Sequence, residues 1–423
     1  MNLNLIATLK KHYLFALYLI VTLGVLIGLI EGFNLKYTVW VVGLYIIPLI
    51  LFYLFFQYVF EKWSLNEKVA DKLQRISLSN KFTSNQIIWG FIAIITVVFL
   101  LHIIYLKGFP GIEAIMEFHQ RKLVYIRRAV TTKIPDWFKY VHSFIIKGII
   151  PMGLLFAYYK NQRKAFYILT ILAFLYGLFA MQKGHFITFY GPTFLMMLLK
   201  KEFKKASILG AYIFSCLLML VFITNPGLKH TILKHFIDVK LPKDVSKEVL
   251  LDDSGEGGEG IVKANKKAVN TLYLRTFFLP GATVGRWFEA VPKKRPYLYG
   301  KGYRFYAKIT GQKYHDYGEE LYGVIYPKYV KRGFVGRVNV ASFMYDYVNF
   351  KQYGLVFSAF CMALLLSIIS MLFFGDSKML LVMNTTSILY LSSTNYTTLL
   401  LSGGWALIIL LYLLFFKQSK LKA

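Results

Sequence analysis

The chain has 423 residues, of which 57% are hydrophobic and 17% aromatic, and its mean hydropathy is +0.50. Soluble globular domains are much less apolar, so this composition excludes a soluble enzyme and predicts a polytopic membrane protein. Lysine and arginine outnumber aspartate and glutamate 50 to 21, which gives a formal charge of +29. Membrane lipids are expected partners of this basic chain, and nucleic acid is not.

Ten apolar runs approach the length needed to cross a bilayer, because about 20 apolar residues span its hydrocarbon core of about 30 Å. The predicted spans are residues 12–33, 37–60, 87–106, 142–160, 165–182, 184–200, 206–225, 352–375, 378–399 and 402–417. The sixth span contains Gly184, His185, Gly191 and Pro192, which indicate a kinked or partly re-entrant segment. The predicted fold is therefore all-α, with about ten transmembrane helices.

Basic residues in the short connections predict the orientation, because Lys and Arg collect on the cytoplasmic side. With both termini in the cytoplasm, clusters such as KNQRK at 160–164 lie on that side, and the opposite short connections carry almost only Lys36 and Lys183. Two long segments, 107–141 and 226–351, are then external. The predicted divisions are an N-terminal transmembrane bundle (1–225, with its outer loop at 107–141), a large helical extracytoplasmic loop domain (226–351) and C-terminal transmembrane helices (352–423).

Both external segments are net basic, although the positive-inside rule would not place charge there, and long loops escape that rule. Two interpretations remain open: a basic surface against anionic lipid headgroups, or a cavity that holds phosphates or acidic glycans. The loop 226–351 is dense in tyrosine between Tyr297 and Tyr329. Disordered segments are poor in aromatic residues, so the loop is predicted to fold over the membrane surface.

The stretch NVASFMYDYVNF at 339–350 places polar residues directly before a long apolar run. If residues 339–353 form a helix, Asn339, Ser342, Asp346 and Asn349 fall on one face. A polar stripe of this kind is typical of the wall of a water-filled cavity and equally of an interfacial amphipathic helix. The spacing alone leaves both interpretations open.

Two arginines, Arg275 and Arg286, lie in the otherwise apolar stretch LYLRTFFLPGATVGRWFEAVP at 272–292. Arginine suits phosphate recognition because its planar fork matches two oxygens at once and never loses its charge. An arginine inside apolar sequence usually has a specific anionic partner, and a structural pair with Glu289 or another loop carboxylate is the alternative to a phosphate ligand.

Arg127 and Lys147 are two further cationic residues, and each has both a functional and a non-functional interpretation. Arg127 belongs to the basic run RKLVYIRRAV at 121–130, a pattern that is also typical of a solvated face. Lys147 lies several residues inside the fourth predicted span, where a lysine indicates a functional site unless its ammonium extends to the membrane surface.

The stretch KYHDYGEELYG at 313–323 concentrates His315, Asp316, Glu319 and Glu320. A histidine beside carboxylates could accept a proton or bind a metal. Neither the paired-histidine zinc spacing nor an acidic calcium loop is present, so no metal is expected and a surface turn is the simplest interpretation.

Several of these stretches together resemble the oligosaccharide repeat unit polymerases, the Wzy-type O-antigen polymerase family. The resemblance is carried by RTFFLPG at 275–281, by NVASFMYDYVNF running into the span at Gly354, by the terminal TTLLLSGGWALIILLYLLF, and by LVYIRRAV, in which Arg127 is the matching arginine. It covers the C-terminal third of the chain and the topology of the whole. The family's Asn-Phe-Gly is here Asn349, Phe350 and Lys351, with glycine only at Gly354.

The resemblance implies a GT-C-like membrane glycosyltransferase in the bacterial cytoplasmic (inner) membrane. It would move a growing glycan from undecaprenyl pyrophosphate onto the next lipid-linked repeat unit at the outer face. The expected substrate is undecaprenyl-pyrophosphate-linked oligosaccharide, the expected protein partners are a chain-length regulator and a flippase, and no cofactor is expected. An O-antigen ligase-like transferase and a lipid-linked oligosaccharide flippase or transporter are the alternatives.

This chemistry gives the residues above their expected roles. Fixed guanidinium groups stabilise the charge that develops on a leaving diphosphate, and the acceptor hydroxyl needs a base within hydrogen-bond reach. The expected pyrophosphate ligands are Arg127, Arg275, Arg286 and Arg337. The expected catalytic bases are Asp346, Glu320 and His315, and the expected residues of the acceptor cavity wall are Asn339 and Asn349.

Overall fold

The computed structural model describes residues 12–33, 35–76, 78, 81–227, 229, 278–331 and 336–416, and all regular secondary structure in these ranges is helical. In chain order the helices are α1 (Tyr13–Phe33), α2 (Thr38–Lys62), α3 (Leu65–Ile76), α4 (Ser84–Leu106), α5 (Pro110–Met116), α6 (Gln120–Thr132), α7 (Asp136–Tyr159), α8 (Arg163–Ala180), α9 (Lys183–Leu199), α10 (Phe203–Thr224), α11 (Leu279–Ala290), α12 (Arg304–Ile309), α13 (Tyr317–Ile325), α14 (Pro327–Lys331), α15 (Phe343–Leu372), α16 (Ser377–Tyr390), α17 (Tyr396–Leu400) and α18 (Trp405–Phe416).

Seven of these helices are long and apolar enough to cross a membrane: α1, α2, α4, α7, α8, α10 and α15. The chain is therefore a helical, polytopic membrane protein, as its composition predicts. The other three predicted spans fall on the shorter helices α9, α16 and α18. Much of the predicted loop 226–351, including Arg275 and the residues around it, lies outside the described residues.

The chain divides into two compact units, each assembled from separate stretches of sequence. The first unit comprises residues 1–73 and 262–400, and the second comprises residues 74–261 and 401–423. The first unit thus contains α1, α2 and α11 to α17. The second contains α4 to α10 together with α18.

Two spanning helices contain a π-helical turn directly before a proline. Residues Val42–Ile46 precede Pro48 in α2, and residues Ile145–Ile149 precede Pro151 in α7. Proline has no N–H and its ring crowds the preceding turn, so a widened turn accommodates it without ending the helix. Lys147 lies within the second of these turns.

Within the first unit, α11 packs so closely on α1 that only glycine fits at the contact. A Cβ atom added to Gly281 would lie 2.2 Å from Leu29 N and from Val25 O of α1. Small residues spaced four apart let helix backbones approach in this way. The Pro-Gly pair in the stretch 275–281 therefore has a packing role in this chain.

We expect Gly281→Val to destabilise the first unit by about 3 kcal/mol, the upper end of the usual cost of overpacking, because the clash is with backbone atoms. The measurement is the Tm of the purified protein in detergent. Gly90→Ala is the matched control, since a Cβ there meets nothing within 4 Å, and its Tm should be unchanged or slightly higher. An equal Tm for the two variants would contradict the packing of α11 on α1.

Candidate functional site

A single polar face over residues 339–353 requires a continuous helix, but the helix covers only the part of this stretch from Phe343 onward. Residues 336–341 are irregular, and α15 begins only at Phe343. The reason lies at Ser342, whose N–H donates to Leu391 O (2.9 Å) and whose hydroxyl accepts from Tyr396 N (2.9 Å). These bonds tie its backbone to the turn after α16, so a helix cannot continue toward Asn339.

Helix α15 breaks after two turns. Phe350 has φ −130° and ψ 21°, and Lys351 has φ 59° and ψ −146°, a conformation that strains any residue except glycine. The two halves then lie in contact, because a Cβ on Gly354 would come within 2.1 Å of Asp346 O. Glycine is thus needed for close approach at position 354. The Lys351 ammonium lies 5.4 Å from the centre of the Tyr299 ring, an attraction that offsets part of the strain.

Asp346 lies at this break and is completely buried. Its Oδ1 accepts a hydrogen bond from the Tyr303 hydroxyl, while its Oδ2 is buried without a hydrogen-bond donor in the described residues, with Ser358 beside the carboxylate. Three more tyrosines stand near enough to interact electrostatically with it: Tyr18, Tyr45 and Tyr396. Asp346 is one of the expected catalytic bases, but a side chain with no exposed surface touches no substrate in this conformation.

Burial, and next the charge of Asp346, raise the pKa of the Tyr303 phenol far above its ordinary value near 10. The phenol therefore keeps its proton at every physiological pH. Because it stays protonated, Tyr303 remains a donor to the carboxylate throughout that range.

The first part of α15, residues 343–349, forms hydrogen bonds with the segment that follows α11. Tyr347 donates its hydroxyl to Val291 O (3.2 Å), and Val348 O accepts from Leu298 N (2.8 Å). Asn349 Oδ1 accepts from Gly302 N (3.0 Å). Together with the Tyr303 bond, these contacts lay residues 291–303 along the start of α15.

The predicted polar stripe is therefore not the wall of an open cavity in this conformation. Ser342, Asp346 and Asn349 are all buried, and so are Phe343 and Tyr347 on the opposite face. Asn349 uses its amide to bind backbone at Gly302 and within its own helix turn. Asn339 is the exception, because it lies exposed in the irregular segment before Ser342.

Helix α13 and the residue before its cap carry the predicted base candidates. His315 Nδ1 lies 2.8 Å from Glu320 Oε1, and the two side chains are 35% and 32% exposed. Asp316 caps the helix by accepting from Gly318 N (3.0 Å). Arg337 Nη2 lies 2.6 Å from the second oxygen of Asp316, so this guanidinium holds the cap.

Arg286 meets the opposite end of α13. Its Nη1 donates to the Tyr326 hydroxyl (3.0 Å), and its guanidinium lies 5.4 Å from the centre of that ring. Glu289, the alternative partner, is exposed, and no ion pair joins it to Arg286 in the described residues. The guanidinium of Arg286 is half-buried, and no carboxylate in the described ranges accepts a hydrogen bond from its N–H groups.

The expected arginine ligands do not all meet. The contacts of Arg337 and Arg286 are with residues ten positions apart, Asp316 and Tyr326, which is roughly 15 Å of helix, so the two do not grip one phosphate in this conformation. Arg127 is exposed on α6 in the second unit. Arg275 lies outside the described residues. A cavity of about 270 Å³ near the end of α15 contains none of the predicted site residues.

Sequence reasoning missed the residues that hold this site together. Tyr303 and Tyr326 contribute the bonds to Asp346 and Arg286, yet each lies 40 or more positions away from its partner. The tyrosine density of 297–329 indicated only that the loop is ordered. No local spacing could have identified which tyrosine meets which charge.

The chain matches no family model, no curated protein and no solved structure. Its class is therefore given by its own geometry. It is a helical, polytopic membrane protein with a histidine–carboxylate pair and two arginines around a short helix.

We expect Tyr303→Phe to destabilise the protein by about 1–3 kcal/mol, because it leaves a buried carboxylate without its donor. In an Asp346→Asn background the same substitution should cost clearly less, and the difference is the coupling energy of the pair. Thermal unfolding of the two single variants and the double variant measures that energy. Additive losses would mean that the two side chains do not interact.

Proposed function

We propose that the chain is an oligosaccharide repeat unit polymerase, a GT-C-like membrane glycosyltransferase. In this proposal the seven long helices and α9, α16 and α18 make ten membrane crossings, with both termini in the bacterial cytoplasm. The substrate is a glycan on undecaprenyl pyrophosphate, which the protein transfers to the next lipid-linked repeat unit at the outer face of the cytoplasmic membrane.

One observation carries the proposal: an arginine without a carboxylate partner in the described residues and an accessible histidine–glutamate pair share the short helix α13. Arg286 meets Tyr326 at the end of this helix, and Glu320 stands six positions earlier, roughly 9 Å along it. In this proposal the reacting sugar lies between the histidine–glutamate pair and the guanidinium. Glycosyl transfer from a diphosphate needs both groups, on opposite sides of the anomeric carbon.

The reaction follows from these positions. Glu320 accepts a hydrogen bond from His315 Nδ1–H, which leaves Nε2 unprotonated and able to act as a base. The acceptor hydroxyl gives its proton to Nε2 while its oxygen attacks the anomeric carbon of the donor. The bond from that carbon to the diphosphate oxygen breaks, and undecaprenyl pyrophosphate leaves with the electron pair.

Arg286 stabilises the departing diphosphate, because a guanidinium fixed in a site of low dielectric interacts most strongly with the charge that develops there. Arg337 acts in this proposal by holding Asp316 and thus the start of α13. Arg275 remains a proposed diphosphate ligand, and Asn339 a proposed acceptor contact. Asp346 and Asn349 position the segment 291–303 rather than react.

Two alternatives share parts of this arrangement. An O-antigen ligase-like transferase would use the same base and the same guanidinium with a different acceptor, so the product would be a single transfer and not a ladder. A lipid-linked oligosaccharide flippase or transporter would not need a base at His315. The length of the glycan product separates the polymerase from both.

The test uses purified protein with lipid-linked repeat units and a gel that resolves glycan length. Wild type should give a ladder. Arg286→Ala should lower the rate about 10²–10³-fold, as does loss of one transition-state donor, and His315→Asn about 10²–10⁴-fold, the usual contribution of a general base. Arg286→Lys should recover only part of the rate, because an ammonium cannot reproduce the bidentate fork.

Arg163→Ala, which removes an exposed arginine of the second unit, is the matched control and should leave the ladder unchanged. A wild-type ladder that persists at full rate in both Arg286→Ala and His315→Asn would remove this site. A wild type that forms no glycosidic bond but moves labelled lipid-linked oligosaccharide across vesicles would establish the transporter instead.

A further inference from the structure

Lys147 occupies the middle of α7, as the twelfth residue of the span Asp136–Tyr159. It is partly buried, and within the described residues it makes neither a hydrogen bond nor an ion pair. An ammonium inside a membrane is costly unless it meets a polar cavity or an anion, and such residues mark ligand or ion sites. The proposed reaction does not use it.

The π-helical turn that carries Lys147 packs against α9 and against α18, all within the second unit. Gly404, at φ +79°, lies so close that an added Cβ would be 3.2 Å from Lys147 Cβ. Ser143 donates its hydroxyl to Ser402 O (2.6 Å), which fixes this turn on α7. Irregular backbone at membrane depth is found where it is buried in protein or lines a cavity.

His185 is the second polar group here, and it lies in the first turn of α9. Its Nε2 is buried and has no hydrogen-bond partner in the described residues, and the side chain is 9% exposed. The π-helical turn that carries Lys147 packs against α9, the helix that carries this imidazole, and the charge of Lys147 acts on it. A buried polar atom without a partner is unfavourable, and a bound ligand would offset that cost.

The start of α9 adds donors. Its cap residue, Gln182, makes no side-chain hydrogen bond to the helix, and Gly184 in the first turn leaves the backbone accessible to a ligand. The first N–H groups of a helix and the positive end of its dipole favour an anion. The start of α9 therefore favours an anion, as do the ammonium of Lys147 and a protonated ring nitrogen of His185.

The remaining titratable neighbours do not supply the missing negative charge. His142 Nδ1 is 3.1 Å from the Tyr176 hydroxyl, whose oxygen also lies 3.5 Å from His102 Nδ1. His102 Nε2 donates to Val130 O (2.9 Å). His102 thus accepts at Nδ1 from Tyr176, and His142 donates to the Tyr176 oxygen, so this chain of bonds is satisfied with neutral imidazoles. Lys147 is the lysine among these buried groups, and Lys183, the first residue of α9, is exposed.

We propose that Lys147, His185 and the start of α9 form a phosphate-binding site in the second unit. Phosphate fits because its several acceptor oxygens suit donors from a side chain of α7, a side chain of α9 and the backbone at the start of α9, and because it is the anion that membrane lipids carry. Its source is either a lipid headgroup or free inorganic phosphate. The site involves none of the residues assigned to glycosyl transfer, and the inference stands without that function.

The test has two arms, both on the full chain in detergent. Titration with inorganic phosphate, followed by calorimetry, measures a free anion. Exchange against mixed micelles that contain phosphatidic acid or phosphatidylcholine, followed by mass spectrometry of the retained lipid, measures a headgroup. Lys147→Met should weaken phosphate binding at least tenfold, or abolish the preferential retention of phosphatidic acid.

Lys139→Met is the matched control, because Lys139 lies on the same helix and pairs with Asp136 (2.6 Å) at an exposed position. It should bind like wild type. His185→Gln provides a second variant if Lys147→Met does not fold, and it should also weaken binding. Wild type that binds in neither arm, or equal binding by Lys147→Met and Lys139→Met, would overturn the proposal.

Discussion

The hydrogen bond from the Tyr303 hydroxyl to the Asp346 carboxylate connects the segment after α11 to the start of a membrane-spanning helix. A carboxylate buried at this depth is tolerated only where a donor meets it. Hydrogen bonds between the same two turns of α15 and Val291, Leu298 and Gly302 complete the attachment of this segment to α15. The segment that leads to α13, and with it the proposed reaction site, thus takes its position from a break in one helix.

Much of the fold could be predicted from the sequence, because the length and hydropathy of an apolar run are enough to identify a membrane-spanning helix. The runs at 12–33, 37–60 and 87–106 coincide with α1, α2 and α4 to within a few residues. The start of α15 could not be predicted in the same way. The polar residues of 339–353 have the spacing of three and four that a helix would place on one face. Hydrogen bonds between Ser342 and both Leu391 and Tyr396, about fifty positions away, override that local preference.

The sequence indicates the residue types of the candidate site better than their arrangement. Apolar surroundings drew attention to Arg286, and the charges at 313–323 to His315 and Glu320, whose side chains the structure pairs. The spacing of Asp346 left a cavity wall and an interfacial amphipathic helix both open, whereas in the structure Gly354 and Tyr303 close over its carboxylate. Such closure depends on which distant side chains pack together. His185 and Lys147 illustrate the same limit, since the sequence indicates each separately and only the fold packs the turn of Lys147 against the helix of His185.

The most direct measurement is a structure by cryo-electron microscopy of the protein with a lipid-linked repeat unit bound. The account predicts the donor diphosphate within about 3 Å of the Arg286 guanidinium, the distance of a charged hydrogen bond, with a sugar hydroxyl beside His315. A diphosphate bound away from α13, with His315 facing no sugar, would contradict it.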